Sequence, residues 1–395
     1  MNVETEAPRR TTARIVAYSL LFRVFSALLA FLVNVGLPAY RPEQFVPMFG
    51  TASPFWDTFV RHDSGWYYQI ARDGYRFVVG GAPVGLGKAG KIAFFPVYPL
   101  LMRYVGRLFG RWAAAPYLGG IVVSWAAFAL AMVALYHLAR LDLEAGRARR
   151  AVLLVAIFPF AFFYGVVYTE SVFLLFTVAS FFFFRTRRWT LGGCCGALAT
   201  ATRVNGILMV PALAWIAWRS AGPDTRDRWR ALLGLLVVPC GLGAYSLYVY
   251  QLTGYPFEWA TSIERWSYYP GGAPWLALVR LVQTLSTRPY QYFVTERLAP
   301  FDTLNGLSAL LFVVAVPFVW RRLGAAYALF MAANLWLPLS SGQYEGLGRY
   351  CAVLFPFFIW LAGVRSDVVF GAAVLLSAML YPLCLTFFTK GLPLF

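Results

Sequence analysis

Histidine is almost missing from this chain: His62 and His137 are the only two in 395 residues, which excludes a multi-histidine metal site. Charge is scarce too, at 13% of residues, and 17 acidic side chains face 34 basic ones. The five cysteines (Cys194, Cys195, Cys240, Cys351, Cys384) lie in apolar segments without metal-ligand spacing and read as small core residues. The chain has no internal repeat, low-complexity stretch or flexible Ser/Gly-rich linker. One domain over 1–395 with no metal cofactor is the economical expectation.

Apolar residues are what the chain has in quantity. They make up 60% of it, and the mean hydropathy is +0.63. A soluble domain cannot hide that much apolar surface, and several runs exceed the roughly 18 residues that cross a bilayer as a helix. The expected class is an all-α polytopic membrane protein. Its polar N-terminus MNVETEAPRR precedes a first span too long for a signal h-region, so that span is expected to be retained. Breaking the runs at charges and Pro/Gly clusters gives about eleven spans, near 15–37, 117–139, 151–167, 170–184, 190–203, 204–218, 231–252, 304–320, 324–340, 350–363 and 368–388. The 190–218 pair also reads as a broken or re-entrant hairpin.

The formal charge of +17 forms no stripe, which argues against nucleic acid. Orientation and anionic headgroups account for it better. With the N-terminus inside, every cytoplasmic connection carries arginine, from Arg9, Arg10 and Arg14 to Arg321, Arg322 and Arg365. The expected orientation is N-in, C-out. Two outer segments, 38–116 and 253–303, are long and aromatic (Trp56, Trp66, Tyr75; Trp259, Trp266, Tyr268, Tyr269, Trp275). Trp and Tyr favour the headgroup layer, so short interfacial helices are expected there.

Ionisable residues at the edges of apolar runs are the functional candidates. In RHDSGWYYQIARDGY (Arg61–Tyr75), Asp63, Trp66, Tyr67 and Ile70 share one helical face, and Gly74 stands where that helix would stop. Asp63 either caps this helix or serves a site, and the two roles are compatible. Arg61 and His62 flank it. KIAFFPVYPLLMRY, with Pro96 and Pro99, is a weak re-entry signal. FPFAFFYGVVYTESVFLLF places Tyr168, Thr169 and Glu170 between two apolar runs, as a turn carboxylate or a functional one. ATATRVNGILMVP holds Arg203 beside Asn205 and Gly206; an arginine at that depth wants a phosphate or a carboxylate such as Glu170. In SGQYEGLGRYCAVLFP, Arg349 and Tyr350 stand at the entrance of a span, to snorkel or to hold a phosphate.

Together these stretches suit one pocket: a fixed carboxylate, two arginines at lipid-phosphate depth and aromatic walls. Glycosyl transfer from a polyprenyl-phosphate sugar needs such a set. A base takes the proton of the attacking hydroxyl, and the anionic leaving group needs positive charge more than a general acid. Inversion in one displacement needs one base carboxylate and no second as nucleophile.

RHDSGWYYQIARDGY followed by AFFPVYPLL resembles the signature of PIG-V-like mannosyltransferases, a family of the GT-C superfamily of membrane glycosyltransferases. FPFAFFYGVVYTES, ALATATRVNG and GLGRYCAVLFP resemble its later motifs in the same order, so the likeness runs from about Arg61 to Pro356. It implies a multi-helix GT-C-like fold, a catalytic acidic residue in the first outer loop, matching Asp63, and a dolichyl- or polyprenyl-phosphate mannose donor. Glu170, Arg203, Arg349 and Tyr350 match family motifs. With Arg61, His62, Trp66, Tyr67, Tyr168 and Asn205 they form the expected substrate-binding set.

The expected activity is therefore an inverting, polyprenyl-phosphate-dependent mannosyltransferase. It would act on an unidentified acceptor hydroxyl (glycolipid, polysaccharide or protein) at the outer face of a bacterial or archaeal inner membrane, with membrane lipids as its other partners. Two other classes fit parts of the pattern. A transporter or flippase of an anionic lipid would use buried Arg203 and broken spans, but needs no bond formation. A noncatalytic subunit that holds a lipid substrate would need only the aromatic outer surface.

Overall fold

The computed structural model describes residues 8–40, 48–49, 53–76, 90–222, 224–265 and 272–394. Trp266, Tyr268 and Tyr269, named above as interfacial aromatics, lie outside them. Among the described residues the secondary structure is entirely helical, from Pro8–Gly36 at the start to Asp367–Thr389 at the end.

Five stretches are long and apolar enough to cross a membrane: Arg10–Gly36, Ala115–Ala139, Thr225–Thr253, Ala299–Leu323 and Asp367–Thr389. This corrects the expectation of about eleven spans. The other six apolar runs are short or interrupted as helices and only partly buried. The first stops as a helix at Ile157 and continues through a short 3₁₀ turn, Ala161–Tyr164. Glu170–Arg185 has 16 residues, a rise of about 24 Å against a hydrocarbon core of about 30 Å. Trp189–Thr200 and Val210–Ser220 are shorter still, with the 3₁₀ segment Val204–Met209 between them. Ala325–Leu339 has 15 residues, and the run 350–363 falls across Leu347–Ala352 and Phe355–Ala362. Apolar content alone does not separate a spanning helix from a short one buried in protein, and that is why the count was too high. The N-in, C-out assignment rested on alternating eleven crossings, so it does not carry over.

The long helices other than Ala115–Ala139, which is largely buried, supply much of the lipid-facing wall. On Pro8–Gly36, Leu21, Phe25 and Leu32 are exposed, as are Leu375 and Met379 on Asp367–Thr389. In water such a surface would be unstable; in lipid it is matched. The segment between Phe158 and Glu170 lies inside. Phe160, Phe162, Phe163 and Tyr164 are fully buried and pack in the main core with residues from Phe128 to Phe388. A second cluster gathers Phe59, Val60, Tyr67, Tyr98 and Val167. The two clusters meet where the chain crosses from Phe158 to Glu170.

That crossing is irregular, so its backbone groups need partners. Val167 N–H donates to Phe59 O at 3.0 Å, and Ser64 Oγ donates to Val167 O at 3.1 Å. Ser124 Oγ donates to Val166 O at 2.9 Å. The first two bonds tie the 59–64 segment to the stretch before the Glu170 helix, a hundred residues away in sequence, and the third ties that stretch to the helix Ala115–Ala139.

Candidate active site

Asp63 precedes the helix Ser64–Asp73, which ends at Gly74 with φ +74, a left-handed conformation that glycine adopts without a Cβ penalty. Its side chain makes no capping hydrogen bond. The carboxylate turns across the molecule instead, and its Oδ2 accepts from Arg349 Nη1 at 2.8 Å. No hydrogen bond engages Asp63 Oδ1 among the described residues. The Asp63 backbone N–H donates to Tyr168 Oη at 3.3 Å. His62, just before, has φ +49, an uncommon conformation for a residue with a Cβ and one that His, Asn and Asp tolerate best. That kink turns the chain from Arg61 into the helix.

Glu170 is the first residue of its own helix and is fully buried. Its Oε1 accepts from Arg203 Nη1 at 2.5 Å and lies 3.4 Å from Arg349 Nε. Thr169 Oγ1 stands 3.4 Å from the same Arg203 nitrogen. Asp63, Arg349, Glu170 and Arg203 thus form one alternating chain of charge from four separate elements. Exposure separates the two carboxylates: the Asp63 side chain is 21% exposed and that of Glu170 0%, and the arginines are at 12% each. A helix N-terminus favours the anion at Glu170. Buried ion pairs of this kind are costly to break, because removal of one partner strands the other.

Aromatic faces surround the guanidinium groups at cation–π distance. Arg349 lies 5.5 Å from the centroid of Tyr168 and 5.7 Å from that of Phe163. Arg203 lies 5.0 Å from the Tyr350 ring. Tyr67 is buried edge-on against Phe94 and Tyr98, with Tyr168 6.2 Å away, and Trp66 stacks on Phe94. Burial pushes the His62 imidazole down to about 4, and Arg61 and Arg349 add to the fall while Asp63 opposes it. The ring is therefore neutral at physiological pH.

Two of the expected site residues stand apart from this chain of charge. Arg61 is buried and points away, donating from Nε to Thr389 O at 2.9 Å and from Nη1 to Asp57 Oδ2 at 2.8 Å and Val60 O at 2.7 Å. These bonds fasten the start of the motif to the last long helix. Asn205 is buried in the Val204–Met209 turn, and no hydrogen bond or ion pair joins it to the quartet. Two supporting residues were not anticipated. Ser64 anchors the motif to Val167, and Asn305 accepts from the Gly348 N–H at 2.8 Å, beside Arg349. Asn305 had a readable signal, since it is a polar side chain inside an apolar helix. Among the described residues no three His, Cys, Asp or Glu gather as a metal site.

The bundle resembles ArnT from Cupriavidus metallidurans, solved with undecaprenyl phosphate. The TM-score is 0.51 at 13% identity, over 95% of this chain and 76% of that one. The apo oligosaccharyltransferase of Archaeoglobus fulgidus matches at a TM-score of 0.48 and 14% identity, over 95% of this chain. The present chain spans 56% of that enzyme's length. No curated protein matches in sequence. The likeness to these solved structures is one of fold, and the apolar spans make this a multi-pass membrane protein. The model of the PIG-V mannosyltransferases matches residues 12–221. The chain belongs to that family.

Proposed function

We propose that this enzyme transfers mannose from a polyprenyl-phosphate donor to an acceptor hydroxyl, with inversion, at the extracytoplasmic face of the inner membrane. The observation that carries this reading is the Asp63–Arg349 pair: a carboxylate with one oxygen held and the other open, beside two guanidinium groups. The acceptor oxygen attacks the anomeric carbon while Asp63 takes its proton. The bond to the phosphate oxygen breaks, and its electron pair stays on the phosphate, facing the positive charge of Arg349 and Arg203. Glu170, out of reach of solvent, orients both arginines. His62 is neutral and cannot supply the charge. The donor class is supported by the undecaprenyl phosphate bound to ArnT, and mannose by the family.

The face is supported by the helix ends. Arg140 follows the Ala115–Ala139 helix, Arg185 ends the helix that Glu170 begins, and Arg321 and Arg322 end Ala299–Leu323. Basic ends away from the site favour a site on the outer side. Because the arginines supply the positive charge, the reaction is proposed to need no metal.

The test is a purified, reconstituted assay with polyprenyl-phosphate mannose and a panel of acceptors, read by mass spectrometry and by NMR of the new linkage. Donor-dependent product of inverted configuration, undiminished in chelator, is expected. Retention of configuration, or strict dependence on Mn²⁺ or Mg²⁺, would contradict the mechanism.

A further inference from the structure

Between the spans Thr225–Thr253 and Ala299–Leu323 the chain carries the helices Pro274–Thr287 and Pro289–Thr295, both too short to cross a bilayer. The first is two-faced. Trp275, Leu276, Val279 and Val282 are exposed, while Leu281 and Thr284, followed by Arg288, turn the other way into a cleft. On the second, Tyr290, Phe293 and Val294 are exposed. Apolar and aromatic faces on short helices beside the start of a span belong to the headgroup layer. The cleft measures about 620 Å³ and is completed by the start of Ala299–Leu323 and by Tyr344. That volume falls within the roughly 300–1,000 Å³ typical of small-molecule sites.

Its charged lining is Arg288, Arg297, Glu296 and Asp302, and Tyr292 and Tyr344 supply aromatic faces. The quartet at Asp63 pairs its charges with one another. Among the described residues none of these four joins an ion pair. Two guanidinium groups and two carboxylates that share a cleft without pairing leave both signs open to a ligand. An anionic headgroup would suit the arginines but face two carboxylates, and a cation would do the reverse. A zwitterion with a phosphate and a primary ammonium matches both, through charge-assisted hydrogen bonds at each end. Leu298 lines the cleft and is itself exposed, which gives the rim an apolar exit for acyl chains.

We propose that this cleft holds the headgroup of a resident phospholipid of the phosphatidylethanolamine type. Arg288 and Arg297 take the phosphate, and Glu296 and Asp302 accept from the ammonium. The lipid is a fixed partner, neither donor nor acceptor in the transfer, and the inference does not depend on the role of Asp63.

The probes are dioleoyl phosphatidylethanolamine, phosphatidylglycerol and phosphatidylcholine, titrated into the delipidated full-length protein in detergent. Binding is read by native mass spectrometry and by the rise in unfolding temperature. Phosphatidylethanolamine is expected to bind at least tenfold more tightly than either comparator, because glycerol carries no positive charge and choline has no N–H to donate. Asp302→Asn should abolish the preference over phosphatidylglycerol while phosphatidylglycerol still binds. Arg297→Gln should weaken both lipids at least threefold. Binding of polyprenyl phosphate in the same variants reports that they are folded, and Glu296→Gln at an exposed position provides a second carboxylate variant. Equal affinity for the three lipids, tighter binding of phosphatidylglycerol, or a wild-type preference kept by all three variants would overturn the proposal. Soluble phosphoethanolamine should bind at least tenfold more weakly than the lipid, and equal affinity would overturn a lipid as the occupant.

Discussion

Arg349 is the side chain on which the site turns, because one guanidinium touches both carboxylates: Asp63 through Nη1 and Glu170 through Nε. A lysine ammonium is a single point of charge and cannot span the two. Arg349→Lys is expected to lower kcat/KM by at least about a hundredfold, a loss of about 2.7 kcal/mol of transition-state stabilisation. Steady-state kinetics at saturating donor would check this, and near-wild-type kinetics would remove Arg349 from its role. His62 makes a separate prediction about pH. Its native pKa of about 4 lies below the ordinary 6.5, so between those values the unfolded chain binds a proton that the native one refuses. Stability is then full above about pH 6.5 and is lost as pH falls toward 4. His62→Asn removes the titration and tolerates the positive φ, so it should narrow the drop in Tm between pH 7 and pH 5. An unchanged drop would show that other groups set the acid limb.

Among the elements, the short helix Leu347–Ala352 is fixed from two sides, by Asn305 at the Gly348 N–H and by the ring of Phe160 against Gly348. A Cβ at position 348 would overlap the fully buried Phe160 ring, and the helix carrying Arg349 would have to move. Gly348→Ala is expected to reduce kcat and to weaken polyprenyl-phosphate binding together, because Arg349 faces that phosphate; wild-type values of both would show that the helix does not move. The helix Ser64–Asp73 and its stop at Gly74 were legible in sequence, because face periodicity and a terminal glycine are local signals. The pairing of Asp63 with Arg349 was not, since 286 residues separate them and nothing local encodes their approach. The alternative partner named for Arg203, Glu170, was legible because depth in an apolar run demands a counter-charge. The break after Ile157 was hidden by apolar content that continues straight through it, whereas the one after Thr200 falls in the 190–218 pair that also read as a broken hairpin.

For the whole molecule, the burden falls on how five long helices pack with shorter broken ones. Arg23 on the first long helix is 1% exposed and donates to Ala161 O at 2.8 Å and Ala156 O at 3.2 Å, with the Phe128 ring 4.3 Å away. It supplies donors to one carbonyl at the end of the helix Ala145–Ile157 and to another in the turn Ala161–Tyr164. Arg23→Met would strand both, at about 1–3 kcal/mol each, and should lower the unfolding temperature in detergent more than Arg349→Lys does. An unchanged unfolding temperature would show that those carbonyls find other donors. Class and family were legible from composition and ordered motifs; the number of crossings was not, since lipid and protein interior are equally apolar surroundings for a helix. The central claim is that Asp63 is the base, and Asp63→Asn in reconstituted membranes tests it most directly. Mannosyl transfer should fall by about 10²–10⁴-fold with binding of polyprenyl-phosphate mannose retained, whereas wild-type turnover in that variant would contradict the account.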